Sequence, residues 1–143
     1  MTNDDIIGRW DAVAWRQDYD DGRVIHPMGE HPGGFVIYDR AGRLAVLLAR
    51  RGRERFVSGG QWDSSDAEKA RAYNEFMCYA GTYEIQGDEV IHKVEFCLYP
   101  NWEGGAQRRK AIFRDGMLHL IARLEAGTPE ARTATMSWKR ADS

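Results

Sequence analysis

Cysteine is nearly missing. Cys78 and Cys97 are the two in 143 residues, too few for a disulfide framework, and neither belongs to a CxxC pair. An excess of positive charge is lacking as well. Twenty lysines and arginines face 22 acidic residues for a formal net charge of −2, which removes the basic footprint of a nucleic-acid binder. Long apolar runs are also wanting: Leu44 to Ala49 is typical of them and falls far short of the ~20 residues of a spanning helix. The opening stretch MTNDDIIGRW carries acids where a secretory signal would carry bases, and it has no apolar core. A cytoplasmic globular domain is therefore expected, with neither nucleic acid nor membrane as its partner.

Familiar catalytic signatures are absent too. There is no Ser elbow, no phosphate-cradling glycine loop and no dinucleotide fingerprint, which argues against Ser hydrolysis, phosphoryl transfer and hydride transfer. Neither cysteine has the neighbouring His and acid of an activated nucleophile. His26, Glu30 and His31 lie close together, yet Pro27 and Gly29 bar the helix that would align them. Their spacing fits no standard zinc motif. No metal and no cofactor is expected.

Glycine and aromatics are plentiful, at 15 Gly with five Trp, six Tyr and five Phe. Aromatics favour strands and glycines punctuate them. Turn signals at Asp20–Gly22, Arg40–Gly42, Gln86–Asp88 and Arg114–Gly116 each separate two strand-like runs. The implied strands are Ile6–Gln17, Arg23–His26, Gly34–Asp39, Arg43–Ala49, Tyr79–Ile85, Glu89–Tyr99, Ala106–Arg114, Met117–Leu124 and Arg132–Arg140. One segment breaks the pattern: Asp63–Met77 offers Ser and Asp caps, then helix formers, with Ala72, Phe76 and Tyr79 at helical spacing beside Tyr73 and Met77. It predicts a helix between the fourth and fifth strands. Strands of this number in one domain spanning 1–143 point to an all-β barrel or sandwich.

Closing an antiparallel sheet removes its edges, and about eight strands can surround one small ligand. Gly8-Arg9-Trp10 opens the first strand. Its indole suits a plug at one barrel end, with the N–H seeking a carbonyl and Arg140 stacked over the ring. Alternation in the sixth strand sets Val90, His92, Val94, Phe96 and Leu98 on one face. Across the Gln86–Asp88 turn, Tyr83 falls near His92.

These residues resemble the lipocalin-like domain family, small intracellular relatives of the calycin barrels. The resemblance rests on Gly8-Arg9-Trp10 with Ala14-Trp15, the run from His26 to Tyr38, Tyr79–Glu84, Val90–Glu95, Pro100-Asn101-Trp102, and the Arg108 or Arg109 that follows. At His26 the chain departs from the tyrosine that often precedes the proline. The resemblance implies a closed antiparallel barrel of about 8–10 strands around an apolar cavity, in a group of folds that includes carriers, cyclases and isomerases.

Several side chains are candidates for chemistry. His92 suits a general acid or base, or else a hydrogen-bonded lining residue that orients a partner. Tyr83 is the second catalytic candidate, steadying oxyanion charge; with Tyr38 and Tyr79 it can also donate to a ligand, the competing reading being satisfied core aromatics. Phe96 is expected to line the cavity. Asn101 and Trp102 form a gate at the barrel mouth or an aromatic-plugged turn. Arg108 is taken as the ligand-binding arginine, although it alternates with Arg109 and either can point inward to pair with a carboxylate. Two functions stay open: binding of a small, largely apolar molecule, or a cofactor-independent isomerase or cyclase acting on a polyketide- or terpenoid-like substrate. A homodimer acting through its surface is a third arrangement.

Overall fold

The computed structural model describes residues 1–141. A short helix α1 (Asn3–Ile6) precedes β1 (Gly8–Tyr19), β2 (Val24–Ile25), β3 (Gly33–Tyr38) and β4 (Arg43–Ala49). A long loop leads to α2 (Asp66–Asn74), β5 (Phe76–Gln86), β6 (Glu89–Cys97) and a 3-10 turn (Pro100–Trp102). The chain finishes with β7 (Ala106–Arg114), β8 (Met117–Leu124) and β9 (Arg132–Arg140). Strands pair antiparallel in the order β1-β3-β4-β5-β6-β7-β8-β9, and β9 returns to β1 from Trp10↔Arg140 to Tyr19↔Arg132. Eight strands thus close on themselves, while β2 pairs only with Gln17 and Asp18 of β1. This is the all-β antiparallel barrel that the sequence predicts, and β4, β7, β8 and β9 have the predicted bounds.

Alternation explains the closure. Trp15 on β1, Val46 on β4 and Leu120 on β8 are buried within one core cluster, and their chain neighbours are more exposed. Burying each such side chain contributes on the order of 1.5–3 kcal/mol. Curvature demands glycine at two places. A Cβ on Gly34 would stand 2.1 Å from the Leu47 carbonyl oxygen, and one on Gly81 would stand 1.9 Å from that of Lys93. Both are backbone collisions, so no larger residue lets the neighbouring strand come so near.

The helix is shorter than the sequence suggests. Ser65 caps α2 by accepting from the Glu68 N–H at 3.3 Å. The Glu68 carboxylate then ties α2 to the preceding loop through the Ser58 hydroxyl and the Val57 N–H. Its far end stops at Asn74, because Phe76, Met77 and Cys78 pair with Ala49, Leu48 and Leu47 of β4. Strand pairing outcompetes helical spacing there, so Cys78 lies in a strand rather than at a helix terminus.

One barrel end is sealed. Ile6 of α1 is fully buried, and its carbonyl accepts the Trp10 indole N–H at 2.9 Å. The Arg140 guanidinium lies 4.1 Å from the Trp10 ring centroid and donates to the Ile7 and Asp5 carbonyls at 2.9 Å each. Both expectations for the plug are met. The opposite end carries the long loop with α2, the 3-10 turn and the β8–β9 connection.

Candidate functional site

His92 sits in the middle of the barrel, 1 % exposed. Its inward direction follows from β6, where Val90, His92 and Val94 alternate with Ile91 and Lys93. Both ring nitrogens are engaged. Nε2 lies 2.7 Å from the Tyr38 hydroxyl, which reaches across from β3, and Nδ1 lies 2.7 Å from the Tyr79 hydroxyl on β5. A neutral imidazole donates from one nitrogen and accepts at the other. One tyrosine therefore donates to the ring and the other accepts from it.

The surroundings keep this chain uncharged. Burial, followed by the positive charge of Arg109, pushes the His92 imidazole down to about 3. Burial raises the Tyr79 phenol to about 12 against the pull of Arg109, and it raises Tyr38 well above the ordinary phenol range. At neutral pH the site is two phenols and an uncharged imidazole, all buried. Such an arrangement can hold and orient a polar atom, or pass a proton along its length.

Arg109 completes the site. It is 4 % exposed and belongs to β7, where Gln107 pairs with His92 and Arg109 with Val90. Its guanidinium donates to the Arg108 carbonyl at 3.2 Å and to the Gln107 side-chain oxygen at 3.1 Å. Among the described residues, no carboxylate lies within salt-bridge distance of it.

The sequence model of the lipocalin-like domain family matches residues 7–141. The chain belongs to this family. Among solved structures it is similar to a lipocalin-like protein from Bacteroides uniformis, at 15 % identity and a TM-score of 0.50 over 94 % of this chain and 98 % of that one. An uncharacterized protein from Bacteroides eggerthii is similar at 14 % identity and a TM-score of 0.46, over 94 % and 98 % of the two chains. The first likeness supports the fold alone. No curated protein matches.

Within this lipocalin-like barrel the remaining candidates scatter. Tyr83 does pair with His92 in the strand register, as expected. Its hydroxyl, however, donates to the Asp39 carbonyl at 2.7 Å, and its ring meets Tyr38 edge-on at 4.8 Å. It buttresses Tyr38 instead of touching the imidazole. Trp102 is half-buried and packs edge-on against Tyr79 at 6.1 Å, on the side away from the Trp10 plug. Asn101, in the same turn, is exposed and donates to the Tyr99 hydroxyl at 3.0 Å.

Two candidates point away from the interior. Phe96 is 71 % exposed. A bulge opposite Ala80 and Gly81 makes Phe96 pair with Ala80 and Val94 with Gly81, so Glu95 is the extra residue. Every side chain after it changes face. Cys97 is thereby turned inward against the core. Arg108 is exposed and approaches Glu89 at 3.7 Å on the outer surface. Arg109 is the inward arginine, and the strand pattern contains the clue: Ala111 and Phe113 share its face, whereas Arg108 shares one with Lys110 and Arg114.

The largest hollow described, about 680 Å³, lies at the sealed end beside Trp10, Phe113 and Arg140. Another of about 450 Å³ lies outside the barrel between the long loop, α2 and Leu98. Neither touches His92.

Proposed function

We propose that the barrel binds a small, largely apolar molecule and orients it through the polar side chains at its centre. The observation that carries this reading is the Tyr38–His92–Tyr79 chain, fully buried and hydrogen-bonded at both imidazole nitrogens. A barrel interior is stabilised most simply by apolar packing, whereas burying polar groups costs desolvation. A few polar groups in apolar surroundings are the usual makeup of a ligand site. Apolar burial then supplies affinity at ~25 cal/mol per Å² of surface removed from water. Membership of the lipocalin-like family supports the same reading. The ligand enters past Trp102, since Trp10 and Arg140 seal the other end.

The isomerase or cyclase reading draws less support from the same atoms. An imidazole held at about 3 is far from the pH at which general acid–base catalysis is efficient. Both of its nitrogens are already committed to phenols.

Native mass spectrometry of freshly purified protein tests the proposal. A discrete retained mass that is released on denaturation is expected. His92→Phe, which removes the hydrogen-bonding ring nitrogens, lowers that retention by roughly tenfold, the equivalent of one lost charge-neutral hydrogen bond. A protein that carries nothing and takes up no added apolar ligand overturns the reading.

A further inference from the structure

The buried polar groups of the interior are unbalanced, with donors in excess. Tyr38, His92 and Tyr79 together bring three N–H or O–H hydrogens to a chain of two hydrogen bonds. Whichever tautomer the imidazole adopts, one phenol keeps its hydrogen, and neither hydroxyl has another protein acceptor among the described residues. The indole N–H groups of Trp15 and Trp138 are buried in the same core cluster and likewise lack a protein acceptor among the described residues. Arg109 adds a fork of five N–H donors, of which two bonds are made, to a carbonyl and to a side-chain amide.

The charge is unbalanced in the same direction. Arg109 is 4 % exposed, and its positive charge is felt by His92 and both phenols. A buried cation without a counter-charge is costly, and the two acids nearest it in the β6–β7 register are spent elsewhere. Glu89 and Asp88 pair outside the barrel with Arg108 and Lys110. A residue of purely structural purpose would have been an apolar side chain or a paired ion. The missing complement is a group that is negative, planar and made only of acceptors.

We infer that the bound molecule carries a carboxylate, received by the Arg109 guanidinium and by the free phenolic O–H of the Tyr38–His92–Tyr79 chain. The inference rests on the carrier reading above and narrows it from an apolar molecule to an apolar acid. Two oxygens match two parallel N–H donors of the guanidinium fork, and a dry interior strengthens such charge-assisted bonds. The carboxylate also offsets the charge that disfavours protonation of His92, so ligand uptake and proton uptake are coupled in the same direction.

Octanoate and octan-1-ol share a tail and differ in the head group, so their binding isolates the head-group term. At pH 7.5 octanoate is expected to bind roughly tenfold or more tightly than the alcohol, the worth of a charge-assisted hydrogen bond. Arg109→Met should abolish that preference, read as the ratio of the two affinities. The ligand-free Arg109→Met protein should melt at or above the temperature of the unaltered protein, because an uncompensated charge has been removed. If that variant does not fold, Arg109→Lys keeps the charge without the fork and should lose most of the preference. Equal affinities for the two probes overturn the carboxylate assignment while leaving the carrier reading in place. A preference that survives in the arginine variants also overturns it, since an external cation such as Lys69 would then be responsible. Failure of both probes, together with native spectra showing nothing retained, overturns the carrier reading itself.

Discussion

Two arginines of this barrel, one at the closed end and one in the interior, are held in different ways. Arg140 stacks at 4.1 Å on Trp10, donates to two backbone carbonyls and is otherwise open to solvent. Solvent serves its remaining N–H groups, so no buried charge is left uncompensated there. Arg109, in the middle, has a neighbouring carbonyl and an amide oxygen, and its charge adds to the burial that holds His92 low. A cation that the fold itself satisfies marks a joint. Under the proposal, a buried cation with no carboxylate partner is the one that receives a ligand. The difference lies in burial, since the residue type and the number of bonds are the same.

The comparison breaks first at the closed end. Trp10→Ala removes the indole that Ile6, Arg140 and Phe113 surround. Loss of so large a buried side chain is expected to cost about 3–5 kcal/mol, measured by urea unfolding. A loss below about 1 kcal/mol would show that the end is held by something other than its plug, and Arg140 would no longer stand as a purely structural residue.

A second test concerns the centre and uses pH. His92 titrates near 3 in the folded barrel and near 6.5 when unfolded. Above pH ~6.5 the imidazole is neutral in both states and contributes no slope. As the pH falls from there toward 3, the unfolded chain takes up the proton and the folded one does not, so stability drops by about 1.4 kcal/mol per pH unit. Exposed carboxylates add their own losses in acid, so the measurement is the difference between two proteins. His92→Gln should flatten the decline of unfolding free energy between pH 6 and 4 by roughly that amount per unit. Parallel curves for the two proteins would mean that water reaches the imidazole.

The barrel was legible in the sequence because the turns carry their own chemistry and the strands alternate. β4, β7, β8 and β9 fell within their predicted limits for that reason. The plug was legible as well, since a glycine, an indole and a late arginine have little else to do together. What escaped was set by contacts between distant segments. The helix lost Phe76, Met77 and Cys78 to pairing with β4, and no local spacing reports that competition. Phe96 went to the wrong face because strict alternation cannot foresee the extra residue at Glu95. Gly81 is the only local hint of that bulge, since its missing side chain is what lets Lys93 approach. In the site, His92 and its tyrosines were visible as polar residues on apolar faces. Their mutual bonding was not, because Tyr38 arrives from three strands away.

The smallest expected effect sharpens the comparison most cheaply, because it concerns neighbours. Arg108 and Arg109 differ by one position on β7 and therefore by a whole face of the sheet. Arg108 meets Glu89 in solvent at 3.7 Å, with both side chains well exposed. Pairs of that kind contribute between nothing and about 1 kcal/mol. Arg108→Gln is thus expected to change unfolding free energy by less than about 0.5 kcal/mol and to leave the retained mass in native spectra as it was. Glutamine keeps a polar side chain at this exposed position while removing the charge and its ion pair. If Arg108→Gln instead empties the barrel, the inward arginine has been assigned to the wrong member of the pair, and the contrast between an exposed and a buried guanidinium falls with it.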